Sequence, residues 1–262
     1  MGFENEKDHP EVAPSQFEIN YSYGEVTAAA DTIQLYKLIC RQVATKLGMT
    51  ASFLPKPVVG VNGNGMHTNV SVSQNGKNLF WEKGGRENLS QFAHDFSDRI
   101  LTSGNDICIL LNSSVNAYRR LDPHFEAPNE IKSSAVDRGA MVRFPIGNER
   151  SSRLEVRSVA PDANPYMVML AVFKTGLDGV KGGAADLHGV ERLLPDNIYD
   201  ALTNFRNSAW TTSLLTADVK ERYAELKQTS ADRCPRQLGT FVKAQEVQFH
   251  HEVYNQYLWN LF

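Results

Sequence analysis

The feature that most constrains the fold is a strict alternation of polar and apolar side chains in two short segments. In the first segment, SSRLEVR, the alternating charged positions are Arg153, Glu155 and Arg157. Side chains two residues apart share one face of a β-strand, so Leu154 and Val156 share the opposite face. We therefore predict a strand that buries its aliphatic face and presents a row of charges on the other.

The second segment, MHTNVSV, alternates in the same way and follows a glycine-rich loop. Its predicted polar face carries His67, Asn69 and Ser71, and its other face carries Thr68, Val70 and Val72. The preceding loop, GVNGNG, leads into a strand and lacks the Lys-Ser/Thr end of a P-loop, so a P-loop is not favoured. Two interpretations stay open. The loop is a plain turn, or its glycines let the backbone approach a ligand beside His67.

Longer apolar repeats with helical spacing predict helices around these strands. We expect helices over residues 27–47 and 87–102, and a third that begins after DANPY with Pro165 in its first turn. No repeat, linker or low-complexity tract divides the chain. We therefore predict one α+β domain over residues 1–262, in which residues 183–262 form a helical C-terminal part.

Strands are expected in three regions. Residues 10–26 contain two extended segments, and residues 57–81 contain strands with a hairpin turn at Asn75-Gly76. Residues 112–160 are rich in turn and strand signals. Tyr199, in the motif NIYD, is interpreted as part of a helix start.

Composition limits the partners of the chain. A formal net charge of −3 does not favour binding to nucleic acid. No apolar run approaches the roughly 18 residues that a membrane helix needs, so no membrane partner is expected. Cys40, Cys108 and Cys234 form neither a CxxC pair nor an even set for disulfides, which favours the reducing cytoplasm.

Charged side chains of both signs gather on the predicted strands and turns. The arginines are Arg120, Arg138, Arg143, Arg153 and Arg157, and the glutamates are Glu11, Glu18, Glu126 and Glu155. Guanidinium groups bind carboxylates and phosphates through paired donors, and carboxylates with one histidine suit Mg²⁺ or Mn²⁺ better than zinc. The pattern predicts metal-assisted handling of phosphoryl or carboxylate groups. The alternative is a sheet surface covered by ion pairs.

Five motifs occur in a fixed order: LPKPVVGVNGNGMH, NAYRRLDPHFEAP, DRGAMVRFP, RLEVR and DANPY. Together they resemble the catalytic domain of glutamine synthetase, closely over residues 9–182 and again in a C-terminal segment. The resemblance implies a curved, mainly antiparallel sheet lined by Arg, Glu and His and packed with helices. It also implies ATP-dependent ligation of ammonia to L-glutamate through γ-glutamyl phosphate, with Mg²⁺ or Mn²⁺, in a homo-oligomer that is commonly a dodecameric double ring.

The resemblance further implies roles for individual residues. Glu11 and Glu18 would bind one divalent ion together with a ligand outside this chain, and His67 and Glu155 would bind a second. The glutamate substrate would be held by Asn62, Gly63, Arg120 and Arg157. The nucleotide side would comprise Asn69, Ser71, Arg143, Arg150 and Arg153. The catalytic residues would be Glu126, Arg138 and Arg157: Glu126 closes over the intermediate and helps to deprotonate ammonium, and the two arginines stabilise the transferring phosphoryl group, with Arg157 shared with the substrate.

The sequence departs from the family pattern in several places. Asp122 and His124 stand where Val and Gly are commoner, and Asn69 stands where some members have a histidine. The family's N-terminal β-grasp domain and the strand that supplies two further metal-binding glutamates are not found in the sequence. We therefore expect a fragment with an incomplete site and doubtful activity.

Three other functions stay open. A related γ-glutamyl ligase could use a polyamine or another amine in place of ammonia. A non-catalytic family member could keep the fold without turnover. A phosphagen-kinase-like phosphotransferase could share the arginine-rich sheet, but it would not need the histidine and carboxylate metal set.

Overall fold

The computed structural model describes residues 4–125, 127–182 and 192–232. It begins with an antiparallel two-stranded ribbon, β1 (Asn5–Pro10) and β2 (Phe17–Tyr21), followed by helix α1 (Val26–Lys46). The predicted pair of extended segments and the first predicted helix are both present. The first strand begins at residue 5 rather than at residue 10.

The next strands are shorter than the alternation suggested. Strand β3 (Thr68–Val70) is followed by a small hairpin, β4 (Ser73–Gln74) and β5 (Lys77–Asn78). Both hairpin turn residues, Asn75 and Gly76, have positive φ, at 52° and 76°, as the Asn-Gly signal predicts.

Of residues 57–81, which were expected to contain strands, residues 57–67 form an irregular loop that includes the predicted glycine-rich loop, and the first strand begins at Thr68. Close packing at the glycines explains the difference. A Cβ atom on Gly63 would lie 2.4 Å from the backbone oxygen of Pro55. The loop therefore folds back onto itself instead of extending into a ladder.

The central sheet has four strands among the described residues, in the order β3-β8-β7-β6. Its remaining members are β6 (Glu130–Ser134), β7 (Ala140–Arg143) and β8 (Leu154–Val156). The β3–β8 and β7–β8 pairs are antiparallel, whereas β6 and β7 are parallel. The sheet is thus mixed, with antiparallel pairs in the majority, and the α+β class is confirmed.

The helices after α1 supply the other layer. They are α2 (Gln91–Thr102), α3 (Gly104–Leu111), α4 (Val115–Arg120), α5 (Pro165–Asp178), α6 (Ile198–Asn207), α7 (Ala209–Leu215) and α8 (Ala217–Ala231). Short 3₁₀ turns cover Arg86–Asn88 and Pro123–Phe125. Pro165 begins α5, as predicted, behind an Asn164 side chain that caps it. Tyr199 lies in the first turn of α6, where a helix start was predicted.

Two helices were not predicted: α3, and α4 within residues 112–160, which were expected to be rich in turns and strands. Helix α3 reads GNDICILL and is buried on nearly every side, so it lacks the one-sided apolar pattern that reveals a helix in sequence. Helix α4 has six residues and begins at Ser114, whose hydroxyl accepts a hydrogen bond from Ala117 N at 3.1 Å.

The core lies between the sheet and these helices. Phe80 and Phe96 are fully buried with ring centroids 5.2 Å apart, and Met141, Leu154 and Val156 bring the sheet into the same cluster. Among the described helices, none is both long and apolar enough to cross a membrane. The sheet therefore has one face fixed against the core, and its edge near β3 faces the N-terminal ribbon and the glycine-rich loop.

Candidate active site

The pairing of three strands brings the predicted polar positions into one row. Glu155 in β8 lies directly opposite Asn69 in β3 and opposite Arg143 in β7. Residues opposite one another in antiparallel strands project from the same face of the sheet. The register therefore gathers side chains that lie more than 70 positions apart in the sequence, between Asn69 and Arg143.

Glu155 is the centre of this row. Its side chain is only 7% exposed, and its Oε1 lies 3.2 Å from His67 Nδ1 and 3.6 Å from Arg157 Nη1. Its Oε2 lies 2.5 Å from Arg143 Nε, without the geometry of a hydrogen bond. Glu155 and Arg157 are thus buried between the sheet and the loop above it, whereas the side chains of His67 and Arg143 are each 32% exposed. A solvated surface of ion pairs, the alternative left open by the sequence, is not what the structure contains.

The electrostatics of the centre favour a charged carboxylate beside a neutral imidazole. Burial raises the pKa of Glu155, but His67, Arg143 and Arg157 outweigh burial and leave that pKa below its ordinary value. Burial also lowers the pKa of His67. The Glu155 hydrogen bond opposes this effect, while the positive charges of Arg120 and Arg157 add to it. A neutral histidine is the form that ligates metal ions.

The glycine-rich loop lies directly on a buried arginine. Arg120 donates from Nη2 to the backbone oxygen of Arg157 at 3.0 Å and from Nη1 to that of Ser158 at 3.4 Å. A Cβ atom on Gly65 would lie 2.5 Å from Arg120 Nη2 and 2.9 Å from Nε2 of His67. Of the two interpretations of this loop, the close approach of its backbone to site side chains is therefore the one the geometry supports.

Arg120 also sets the charge beneath the loop. Burial and the neighbouring charge of Arg157 lower the pKa of Arg120 to about 10, and Asp162 opposes this shift. Asn62 and Gly63 lie half-buried on the loop above. The four residues expected to hold an amino-acid substrate, Asn62, Gly63, Arg120 and Arg157, are thus neighbours in the structure.

The N-terminal ribbon forms a second cluster of charged groups. His9 in β1 is the ladder partner of Glu18 in β2. His9 Nε2 lies 3.6 Å from Glu11 Oε1 and 4.0 Å from Glu18 Oε2. The potential ligand atoms of these three residues all lie within 4.8 Å of one another. Glu11 and Glu18 are therefore brought together, and a histidine that the sequence prediction did not include joins them.

The two carboxyls of the ribbon affect one another. A hydrogen bond with Glu18 raises the pKa of Glu11, and burial raises it further. Burial also acts to raise the pKa of Glu18, but Glu11, Asn20 and His9 outweigh it and leave that pKa lowered. The pair thus favours one charged and one neutral carboxyl, which is typical of two carboxylates that share a site.

The ribbon is anchored to the glycine-rich loop. Gln16 Nε2 donates to the backbone oxygen of Gly63 at 2.9 Å and to Asn64 Oδ1 at 2.7 Å. The charge of His67 contributes to the lowered pKa of Glu18, so the ribbon cluster and the Glu155 centre lie within electrostatic range. The two predicted cation positions are therefore near one another and are linked through the glycine-rich loop.

The positions predicted for the nucleotide are more spread out. Arg153 Nε donates to Asn69 Oδ1 at 2.9 Å, so these two residues stand together at the end of the row. Ser71 is exposed one step further along the chain. Arg150 is exposed in a turn where its backbone N–H donates to Asn148 Oδ1 at 2.9 Å. Among the described contacts, none joins Arg150 to the row.

The two remaining predicted residues lie at the edge of the site. Arg138 is exposed in the turn between β6 and β7. Its neighbour Asp137 has a lowered pKa, caused first by Lys132, and the charge of Arg157 contributes, so this turn lies within electrostatic range of the centre. Glu126 lies outside the described residues.

Sequence reasoning missed two further residues that support the site. Lys56 is buried and donates from Nζ to the backbone oxygen of Val61 at 2.6 Å. Asn116 in α4 bonds both backbone groups of Lys56, accepting from its N–H at 2.7 Å and donating to its oxygen at 3.1 Å. These bonds fix the base of the glycine-rich loop to α4. A lysine between two prolines was the only available signal.

The donor groups fit divalent cations. Glu155 Oε2 is buried and lies 2.5 Å from Arg143 Nε, so a cation bound there would share this oxygen with the guanidinium. His67 and Glu155 offer one nitrogen and one carboxylate, and the ribbon offers two carboxylates and an imidazole. Carboxylate oxygens are the ligands that Mg²⁺ and Mn²⁺ prefer. Arginines beside them can neutralise an anionic substrate.

Comparisons with known proteins identify the family of the chain. The family model for the glutamine synthetase catalytic domain matches residues 1–246. Glutamine synthetase from Staphylococcus epidermidis is 34% identical over 263 aligned positions, which cover 94% of this chain and 59% of that protein. The chain thus spans about 59% of the length of this curated relative.

Solved structures show the same fold. The cryo-EM structure of Plasmodium falciparum glutamine synthetase has a TM-score of 0.83 at 22% identity and covers 96% of this chain and 59% of that one. A structure described as "Apo GmaS without ligand" has a TM-score of 0.76 at 30% identity and covers 87% of this chain and 55% of that one. With this fold, this site and these matches, the chain belongs to the glutamine synthetase family.

Proposed function

We propose that this chain carries the catalytic face of an ATP-dependent ligase that joins ammonia to L-glutamate through γ-glutamyl phosphate. The observation that carries the proposal is the buried Glu155 centre, where His67, Arg143 and Arg157 surround one carboxylate. Buried charges need compensation, and a cluster with more cations than anions suits an anionic ligand. A non-catalytic relative has no physical need for this arrangement.

The proposed cation sites are two. We assign one Mg²⁺ or Mn²⁺ ion to Glu11 and Glu18, and a second to His67 and Glu155. When bound, such ions neutralise the charge that develops on a transferring phosphoryl group. The fold of the chain positions the side chains that would bind these ions. The β3–β8 register fixes Glu155 beside the loop that bears His67, and Gln16 fixes the ribbon to the same loop.

The proposed substrate site lies under the glycine-rich loop. Arg120 and Arg157 supply positive charge for the carboxylates of glutamate, with Asn62 and Gly63 above them. Arg120 is held by two backbone carbonyls and covered by glycines, so its guanidinium does not have to be ordered when the substrate binds. This preorganisation supports a role in positioning the substrate.

The proposed nucleotide side continues along the row of β3 and β8. We assign it Asn69, Ser71, Arg143, Arg150 and Arg153. Arg138 and Arg157 are assigned to the transferring phosphoryl group, where each cationic contact is worth a few kcal/mol in the transition state. Glu126 is assigned to the removal of a proton from ammonium and to the exclusion of water from the acyl phosphate.

The larger assembly is also a proposal. We propose that residues 1–262 belong to one domain with residues 183–262 as its helical part, and that the protein works as a homo-oligomer in the cytoplasm. Support comes from the family membership and from the match of the catalytic-domain model across residues 1–246. Cys40 and Cys108 are both free thiols, which agrees with a reducing compartment.

The test is phosphate release from ATP by the purified chain with L-glutamate, ammonium and Mg²⁺ or Mn²⁺, omitting each component in turn. Because an incomplete site is expected, we predict weak release that requires both glutamate and ammonium. It should be lost in Glu155→Gln but not in the matched surface variant Glu149→Gln. Replacement of ammonium by methylamine or putrescine tests the amine.

Two outcomes would count against the ligase. Release that needs neither glutamate nor an amine would indicate a different phosphotransfer. If no release occurs, calorimetric titration measures the affinity of the same residues for ADP, which requires no turnover. Equal ADP affinity in the wild type, Glu155→Gln and Glu149→Gln would then contradict the assignment of the nucleotide to this site.

A further inference from the structure

We propose that Lys56 is a positioning residue whose buried ammonium links the glycine-rich loop to the Phe125 turn (residues 121–125) and so sets the spacing of the site for L-glutamate. The inference rests on the proposed function, because that function places glutamate between the glycine-rich loop and Arg120. It adds a residue outside the proposed substrate and cation ligands, and it gives the positive charge of that residue a task.

The Lys56 ammonium lies between two parts of the chain that are distant in the sequence. On one side, Nζ donates to the backbone oxygen of Val61 at 2.6 Å. On the other side, Nζ lies 3.6 Å from the centroid of the Phe125 ring, which is a cation–π contact. The charge of Asp122 in the same turn also favours the ammonium, because it opposes the lowering of the Lys56 pKa by burial.

The two stretches that the ammonium contacts carry the residues assigned to glutamate. Val61 is followed directly by Asn62 and Gly63. The Phe125 turn follows directly after Arg120, the last residue of α4. A Cβ atom on Gly63 would lie 3.1 Å from Arg120 Cγ, so the loop and the arginine are closely packed. A shift of the loop against the turn would therefore change the space between the loop and the guanidinium.

The ammonium is not needed to hold the base of the loop. Asn116 bonds both backbone groups of Lys56, at 2.7 and 3.1 Å. Asn64 donates from its backbone N–H to Pro55 O at 2.7 Å and from Nδ2 to Leu54 O at 2.8 Å. These bonds use the backbone of residues 54–56 and do not involve the lysine side chain. They also do not reach the turn, so the ammonium makes a separate connection.

The burial of this charge supports such a connection. Lys56 is only 4% exposed, and an ammonium removed from water needs compensation by nearby polar or aromatic groups. A methionine of similar length would fill the position without that requirement. Because the Val61 oxygen and the Phe125 ring both contact the ammonium, its charge favours the arrangement in which the loop and the turn are both in place.

The experiment is amide hydrogen exchange, followed by mass spectrometry, on the purified chain without substrates or cations. Lys56→Met keeps a long unbranched side chain and removes the charge and the donors. We expect exchange to become faster by about tenfold or more in the glycine-rich loop and in the Phe125 turn together, with helix α8 unchanged. The matched control is Lys83→Met, which changes an exposed lysine and should leave all three regions unchanged.

Two substitutions of Phe125, which is half-buried, keep the proposal testable if Lys56→Met does not fold. Phe125→Leu keeps an apolar side chain and removes the ring face. It should speed exchange in the turn and, through Lys56, in the glycine-rich loop. Phe125→Tyr keeps a ring for the ammonium and should resemble the wild type. The effects of Lys56→Met and Phe125→Leu should not add in the double variant, because both remove the same contact.

Calorimetric titration with L-glutamate measures the consequence for the site. Lys56→Met should weaken glutamate binding by about tenfold, because a loop that is free to move no longer holds its residues over Arg120. Phe125→Leu should weaken it by a smaller factor. Phe125→Tyr and Lys83→Met should bind glutamate as the wild type does.

The proposal is overturned if Lys56→Met, or Phe125→Leu in its place, speeds exchange in only one of the two stretches or in neither. It is equally overturned if these variants bind glutamate as tightly as the wild type. If the wild type binds no glutamate, the proposed substrate site fails, and the exchange experiment still decides whether Lys56 links the loop to the turn. The expected exchange and binding without phosphate release would count against the ligase and leave the role of Lys56 standing.

Discussion

The two charged clusters, the Glu155 centre and the group of His9, Glu11 and Glu18, are built in opposite ways. Glu155 lies in the second strand of a four-stranded sheet, paired on both sides, and its side chain is 7% exposed. The cluster of His9, Glu11 and Glu18 lies on a separate two-stranded ribbon, where the side chains are 31%, 31% and 40% exposed. An isolated two-stranded ribbon is marginally stable, whereas a central strand is held by its neighbours.

The comparison shows that a charged glutamate can stabilise the fold in one cluster and destabilise it in the other. At the centre, one carboxylate faces His67 and two arginines, so the charged form of Glu155 stabilises the fold. On the ribbon, Glu11 and Glu18 face one histidine, so one charged carboxylate opposes the other. The centre is organised before any ligand arrives. We propose that the ribbon gains order when a cation binds between its carboxylates.

The largest expected effect is the contrast between Glu155→Gln and Glu18→Gln. Glu155→Gln leaves Arg143 and Arg157 without their buried counter-charge, so we expect a loss of about 3 kcal/mol or more in the free energy of unfolding. Glu18→Gln removes repulsion at a partly exposed site and should change it by less than about 0.5 kcal/mol. Urea unfolding followed by circular dichroism, without divalent cations, measures both. Equal losses in the two variants would remove the distinction between centre and ribbon.

A smaller effect tests what holds the centre in place. Gly63→Ala puts a methyl group 2.4 Å from the backbone oxygen of Pro55, which cannot move without shifting the loop. We expect a loss of about 1–3 kcal/mol in the free energy of unfolding. Gly24→Ala is the matched control, because a Cβ atom there meets nothing within 4 Å, and it should change stability by less than about 0.5 kcal/mol. If the two substitutions behaved alike, the loop would not be what fixes Arg120.

The sequence was more informative about the centre than about the ribbon. Alternation in SSRLEVR and MHTNVSV predicted the strand faces that carry Glu155 and Asn69, because side-chain direction in a strand is a local property, whereas His67 lies in the loop just before β3. It could not predict that Arg143 and Asn69 both lie opposite Glu155, because register depends on which strands meet. The row of polar side chains across the sheet therefore depends on how the strands pair in the tertiary structure.

His9 was missed although a signal existed. His9 and Glu11 are two positions apart, as on one side of a strand, but Pro10 separates them and the ladder partner Glu18 comes after a turn. Helix α3 was missed for another reason, since burial on all sides removes the amphipathic pattern. The role of the loop glycines also stayed open in the sequence. A Cβ atom on Gly65 would lie too close to Arg120, and Arg120 comes from a helix that is distant in the sequence.

The smallest expected effect is a difference in the pH dependence of the two clusters. The folded pKa of Glu155 is below its ordinary value of 4.5, so its charged form adds stability above pH 4.5, which is lost as the pH falls through the folded pKa. The stability difference between the wild type and Glu155→Gln should therefore shrink as the pH is lowered below 4.5. The folded pKa of Glu11 is above 4.5, so its charged form costs stability at neutral pH, and acid relieves that cost.

Glu11→Gln should accordingly be slightly more stable than the wild type at pH 7, by a few tenths of a kcal/mol, because the group is largely solvated. This advantage should fade as the pH falls through the folded pKa of Glu11. Urea unfolding between pH 7 and pH 3.5 measures both differences, with Glu149→Gln as an exposed control that should follow the wild type. Parallel pH profiles for Glu155→Gln and Glu11→Gln would mean that the two carboxylates carry the same electrostatic role, in which case the contrast between a preorganised centre and a cation-dependent ribbon fails.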